Sequence, residues 1–294
     1  MGFFYSNELE EGIKLLYHQN DKSKFPEAVS LIEKAAANDE PDAYYVLARC
    51  YAWGDSGLPD NKENDKKALE LSQRGAELGS SLAILGADRF SRLKDVQPFM
   101  KVTHEQAFEE AVSMAKSGNA LAMYAVGLVY FWGDIVSLPK YALPSRKENS
   151  VEGVKWFDKA ADKGFIPAFK NAYISRRDGT NGVPVDIAAA VRLVEIVQGH
   201  CEIPPRFYSN IGNDYDKLGQ KAQMIEWYQR GAESGDSNSM FNLAYSYEYG
   251  DGVPKDYAMA VKYYQQAKDA GYGPNADKAL AKFKKTLFGK IKKI

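Results

Sequence analysis

Small and apolar residues recur four apart at Ala122, Val126 and Tyr130, a single stripe on a helix running through Phe131 and Trp132. Gly133 stands where that helix would stop, because glycine is the residue that closes a helix in the left-handed conformation. Gly127 sits inside the stripe. It costs about 1 kcal/mol relative to alanine in a helix, so its presence predicts another helix backbone passing close by. The same frame fits Ala43, Leu47, Ala48, Tyr51 and Gly54, and again Ser239, Leu243, Ala244, Tyr247 and Gly250. A second helix follows each first one and carries an alanine with an aromatic pair, as in Ala260, Tyr263 and Tyr264, before Gly271. The segment between them, Gly250-Asp251-Gly252-Val253-Pro254, is turn chemistry.

The pattern is periodic. Gly182-Val183-Pro184-Val185-Asp186 returns as Gly252-Val253-Pro254-Lys255-Asp256, and Trp156-Phe157 to Gly164 returns as Trp227-Tyr228 to Gly235. One unit intervenes between these copies, so the period is about 36 residues, the length of a helical hairpin. Lys34-Ala35-Ala36, Arg74-Gly75-Ala76-Glu77 and Ala115-Lys116-Ser117-Gly118 keep the same phase.

These residues resemble the Sel-one-like repeat, a relative of the tetratricopeptide repeat. The fullest copy is 239–271; those at 43–79 and 122–164 are good, the second with an insertion from Ile135 to Asn149. Copies at 168–201 and 207–235 are recognisable by one helix each, 81–118 is degenerate in its first helix, and 7–39 is a partial first unit. The resemblance implies an all-α fold in one domain over 1–294: a right-handed α-solenoid of about six to seven stacked helical hairpins. Residues 274–294 are expected to form a helix capping the last repeat.

On each first helix, positions one, five and nine face the partner helix, so the third, seventh, tenth and eleventh face away from it. Those places hold Tyr45, Arg49 and Trp53 in one copy, Tyr124, Leu128, Phe131 and Trp132 in another, and Phe241, Tyr245, Glu248 and Tyr249 in a third. By analogy with the tetratricopeptide family this is the concave face, and aromatic residues with arginine are the usual anchors of protein interfaces. The expectation is a partner-binding surface centred on Tyr124, Leu128, Phe131 and Trp132. The competing reading packs these rings against the neighbouring repeat. The insertion is either a packed loop or a recognition loop at the groove edge.

Charge sharpens the picture at one end. The chain has 38 Lys and Arg against 39 Asp and Glu. Lys282, Lys284, Lys285, Lys290, Lys292 and Lys293 supply six positive charges without an acid in residues 281–294, which leaves the rest of the chain at 32 basic against 39 acidic residues. Phe283, Leu287, Phe288, Ile291 and Ile294 interleave with the lysines, so the tail reads as an amphipathic helix. It is a second candidate contact, for an acidic partner or membrane surface. Near-neutral charge overall gives no expectation of nucleic-acid binding.

Catalytic chemistry is hard to assemble. His18, His104 and His200 belong to different repeats without metal-ligand spacing, and no phosphate-binding loop or nucleophile elbow is present. Two cysteines, Cys50 and Cys201, point to a reducing compartment; with no export signal in the residues given, a cytoplasmic location is expected. No catalytic residue, metal or cofactor is assigned. The resemblance implies a non-enzymatic module holding a protein partner, either an immunity protein neutralising a cognate bacterial toxin or effector, or a regulatory adaptor. A membrane-associated scaffold using the basic tail and an enzyme or enzyme-regulating subunit are the alternatives.

Overall fold

The computed structural model describes residues 4–19, 21–53, 62–89, 92–285 and 290–294. Gly54, an expected helix stop, lies outside them, as does the side chain of Trp53. The fold is all-α. The helices are α1 (Asn7–Ile13, continued as a π-helical turn to Gln19), α2 (Phe25–Ala37), α3 (Pro41–Trp53), α4 (Lys62–Leu78), α5 (Ser81–Arg89), the short α6 (Leu93–Val96), α7 (His104–Lys116), α8 (Ala120–Trp132) and α9 (Arg146–Ala161). They are followed by α10 (Ile166–Asp178), α11 (Ile187–Gln198), α12 (Tyr208–Lys217), α13 (Lys221–Glu233), α14 (Ser237–Tyr249), α15 (Tyr257–Asp269) and α16 (Gly273–Leu280). The elements pair as the repeat spacing predicts, with α3 against α4, α8 against α9, and α14 against α15. Contacts divide the chain into two compact units: Met1–Asp186 with Glu195–Glu202, and Ile187–Val194 with Ile203–Ile294.

In the first unit, the expected close approach at Gly127 occurs. A Cβ added there would lie 2.6 Å from the Phe157 ring and 3.1 Å from the Gly153 carbonyl oxygen. One added at Gly153 would meet the Phe131 backbone nitrogen at 2.7 Å. Helices α8 and α9 therefore cross at a distance that only two glycines permit. Gly133 closes α8 with φ 91°, as expected. The Asn119 side chain caps its other end, accepting from the Ala122 amide at 3.0 Å. Asn119 also donates to the Tyr5 hydroxyl at 2.9 Å, and Tyr5 donates to Asp42 at 3.0 Å. Ser80 donates to the other oxygen of Asp42 at 2.6 Å. A mostly buried polar chain thus ties the N-terminal ends of α3, α5 and α8, and dehydration pushes the Asp42 carboxyl above its usual range.

The insertion after α8 is a packed loop. Ile135 and Leu138 are buried, the Tyr141 ring lies 5.0 Å from Phe108 on α7, and Lys140 pairs with Glu105 and Glu109 of the same helix.

In the second unit, α14, α15 and α16 enclose Ala244, Ala260, Tyr264 and Ala279, with Phe241, Tyr247, Tyr263 and Phe283 packed around them. Here one expectation is corrected. The cap helix ends at Leu280, and the tail continues as two antiparallel strands, β1 (Phe283–Lys285) and β2 (Ile291–Lys293), with Phe283 opposite Lys293 and Lys285 opposite Ile291. A helix would crowd six like charges on successive turns with no acid to pair them. A strand alternates them instead, turning Ile291 and Lys293 inward and Lys292 to solvent.

Gly153→Ala is expected to lower unfolding stability by about 1–3 kcal/mol, because the added methyl meets backbone atoms that cannot give way. Gly273→Ala, where nothing lies within 4 Å of an added Cβ, is expected to stay within about 0.5 kcal/mol. Denaturant titration of both variants checks this pair.

Candidate partner-binding surface

Most of the expected contact face in the first unit is interior. Tyr45, Arg49, Tyr124, Leu128 and Phe131 are all buried, and this corrects the expectation that the set centred on α8 forms an accessible groove. The physical reason is that α8 is covered on several sides, by α5, α7 and α9, and that Tyr124 and Phe131 turn toward the hairpin partner α9 rather than away from it as expected. Tyr124 lies 5.6 Å from Phe157 and 5.2 Å from Phe165, and Phe131 lies 5.4 Å from Phe157. Arg49 is enclosed by tyrosines. Its guanidinium sits 4.9 Å from the Tyr124 ring centre, 5.8 Å from Tyr45 and 5.9 Å from Tyr17, and its Nε donates to the Tyr17 hydroxyl at 3.3 Å. Ring faces are negative, so they hold a buried cation at lower cost than an apolar core would. Tyr17 and Phe165 escaped sequence reasoning because nothing in the repeat phase marks them.

Among the described residues of that set in the first unit, one remains open. Trp132 is 39% exposed and stands edge-on to Phe131 at 5.1 Å. The loop after α10 packs against the same end of α8, with Asn181 donating to the Phe131 carbonyl at 3.2 Å.

The second unit keeps more of the expected face. Tyr245 and Tyr249, one turn apart on α14, are 48% and 44% exposed and their rings lie 4.4 Å apart. Phe241 is half-buried, with its ring 5.1 Å from Tyr264 and 4.8 Å from Tyr272. Glu248 is the exception. Its side chain is fully enclosed, which corrects its assignment to a partner-facing position. The tail hairpin covers it. Lys293 Nζ pairs with Glu248 Oε1 at 2.7 Å and Lys282 Nζ approaches the same oxygen at 3.7 Å, while Tyr264 donates to Oε2 at 2.7 Å. Lys293 also donates to the Tyr249 hydroxyl at 3.3 Å and lies 4.4 Å from that ring's centre.

The tail lysines therefore divide. Lys282 and Lys293 turn to Glu248, whereas Lys284, Lys290 and Lys292 are exposed, and the Lys285 side chain lies outside the described residues. Repeat phase alone did not show that the two candidate sets would meet. The signal was present as one acid, Glu248, among three tyrosines on α14, matched by an excess of lysine downstream.

Burial raises the Glu248 carboxyl, but the bonds from Lys293 and Tyr264 and the charge of Lys282 outweigh it, and the group ends below its usual range. Elsewhere, burial pushes the Cys201 thiol up to about 11, far from a nucleophile at neutral pH. Among the described residues no group of three or more His, Cys, Asp or Glu could hold a metal ion, and no helix is long and apolar enough to cross a membrane.

Comparison with known proteins places this architecture. The Sel1 repeat family matches residues 41–80, 120–165, 225–236 and 237–272. The chain is a Sel1-like repeat protein. It is 28% identical over 254 residues to the chitin synthase regulator SKT5 of Saccharomyces cerevisiae, covering 82% of this chain and 29% of that protein. It is 27% identical over 164 residues to the Activator of C kinase protein 1 of the same yeast, covering 51% of this chain and 24% of the relative. The chain thus spans less than a third of either relative's length. Among solved structures it is similar to a Sel1 repeat protein from Oxalobacter formigenes, with 21% identity, TM-score 0.46, and coverage of 94% and 87% of the two chains. It is also similar to c5321, a protective antigen of uropathogenic Escherichia coli with an SLR fold, with 19% identity, TM-score 0.49, and coverage of 90% and 55%.

A carboxylate held below its ordinary pKa stabilises the fold above the unfolded value, and that contribution disappears as pH falls through the folded value. The groups facing Glu248 are Tyr249 on its own helix, Tyr264 on α15, and Lys282 and Lys293 of the tail. Acidification below the ordinary glutamate range is expected to loosen the hairpin, read as movement of the Ile291 methyl resonances toward random-coil positions. The Glu248→Gln chain is expected to lack this acid-dependent step.

Proposed function

We propose that this chain, as a Sel1-like repeat protein, is a non-enzymatic regulatory adaptor that holds a protein partner through the tyrosine face of α14. Repeats of this family mediate protein–protein interaction and are typically non-catalytic. The observation that carries the reading is the exposed pair Tyr245 and Tyr249, whose tilted rings lie in contact. Two large, half-exposed rings side by side on a repeat scaffold are the usual chemistry of an interface anchor. Trp132, in the first unit, is a separate anchor of the same kind.

Of the specific roles compatible with such a module, the relatives favour regulation. The two yeast proteins are named as a regulator and an activator, whereas toxin neutralisation has only fold-level analogy behind it. Cys50 and Cys201, neither of them in a disulfide, fit a reducing, cytoplasmic setting.

Affinity capture from native cell extract tests the reading. Proteins retained by the wild-type chain are expected to be lost by about tenfold or more with Tyr245→Ala and Tyr249→Ala together, the scale of an interface hot spot. An unchanged set of captured proteins, from a variant with an unchanged melting curve, would overturn it.

A further inference from the structure

The enclosure of Glu248 has a stringent requirement. Its side chain is fully shielded from solvent, and its compensating cations belong to Lys293 and Lys282, both on or beside the tail hairpin. A carboxylate stripped of water and of its cation is strongly unfavourable, so the place occupied by the Lys293 ammonium cannot simply be vacated. Whatever displaces the tail must bring a positive charge of its own or admit water.

The site also discriminates among cations. Oε2 already accepts from Tyr264 at 2.7 Å, leaving Oε1 for the incoming donor. A planar guanidinium donates best to both oxygens of a carboxylate, whereas an ammonium needs only one, with its remaining hydrogens directed elsewhere. Tyr249 supplies that remainder through its hydroxyl and its ring face. Around this point the tail presents Phe283, half-buried, against Tyr257 and Tyr264, and strand β2, with Ile291 half-buried, lies against α15. The occupant is thus an extended segment with one lysine turned inward and apolar residues beside it.

We propose that Glu248, Tyr249 and Tyr264 form a lysine-ammonium receptor, which Lys293 fills within the chain and which a lysine on an extended basic–apolar segment of the protein partner fills by displacing the hairpin. This deepens the partner-binding reading and rests on it. The tail then acts as a stand-in ligand. Its tethering gives it an effective concentration of about the millimolar range, so it keeps weak lysine-bearing segments out while yielding to tighter ones. Tyr245 and Tyr249, exposed at the edge of the covered site, offer the first contact to the incoming segment.

The probe is a labelled peptide with the sequence of residues 283–294, prepared with lysine, arginine or glutamine at the place of Lys293. It is titrated by fluorescence anisotropy into the full wild-type chain and the full chain carrying Lys282→Gln and Lys293→Gln. The lysine peptide is expected to bind the substituted chain at least about tenfold more tightly than wild type, because the internal competitor has lost its charge. On that chain the order is expected to be lysine, arginine, glutamine, with the glutamine peptide at least about tenfold weaker, the scale of a charge-assisted hydrogen bond. Glu248→Gln added to the same chain is expected to abolish the preference. If it unfolds the chain, the peptide series on the unaltered glutamate remains the measurement. Equal binding of the lysine and glutamine peptides, or no binding to the substituted chain, would overturn the proposal. Either outcome leaves the tyrosine-face reading to its own capture experiment, so the two fail separately.

Discussion

The close approach of helix backbones governs this molecule. At the α8–α9 crossing, Gly127 and Gly153 face each other, and a single methyl on either would fall within 2.8 Å of atoms on the opposite helix. The same solution appears at other junctions. Gly75 on α4 stands against the Ala83 side chain of α5, and Gly231 on α13 stands against Ser239 of α14, each within an Arg-Gly-Ala-Glu run of the same repeat phase. Small residues at these points let helices sink together, and the large residues beside them must then pack laterally. Phe157 lies over Gly127, Tyr228 over Gly212, and Tyr45 over Gly86. Ring positions in each unit follow from where glycine allows the backbones to meet.

That constraint explains why equivalent positions have different fates. Leu128 and Tyr245 occupy the same seventh place on first helices, yet one is 5% exposed and the other 48%. Around α8, the neighbouring helices and Phe165 leave no space beyond the hairpin, and Arg49 is drawn into the same ring cluster. On α14 the corresponding space is taken in part by the tail hairpin, which reaches Glu248 and Tyr249 but leaves Tyr245 accessible.

The tail shows how charge selects a fold where hydrophobic pattern is ambiguous. Phe283, Ile291 and Ile294 among lysines suit either period. The deciding element is one buried carboxylate. The two-stranded form directs Lys293 toward it and leaves Lys292 in water, whereas a helix would rotate these lysines by about 100° per residue with no acid to receive them.

Repeat phase, helix stops such as Gly133 and Gly250, the second helices and the close pass at Gly127 were all legible in the sequence. Each rests on local conformational preference or on spacing along one helix, and those are properties of neighbouring residues. The accessible face was less legible. Tyr124 and Phe131 pack on Phe157 of their own hairpin partner, against the expectation, and Tyr45 meets Gly86 of α5, so the face left open depends on which helices come near, and repeat phase does not show that. Residues such as Phe165 and Phe157 carry no mark of that proximity. Glu248 and Lys293, 45 residues apart, are the sharpest case. The sequence by itself determined that an acid would stand among tyrosines and that a lysine excess would follow. Only the tertiary structure decided that they would meet, because the free energy of a buried carboxylate depends on what encloses it.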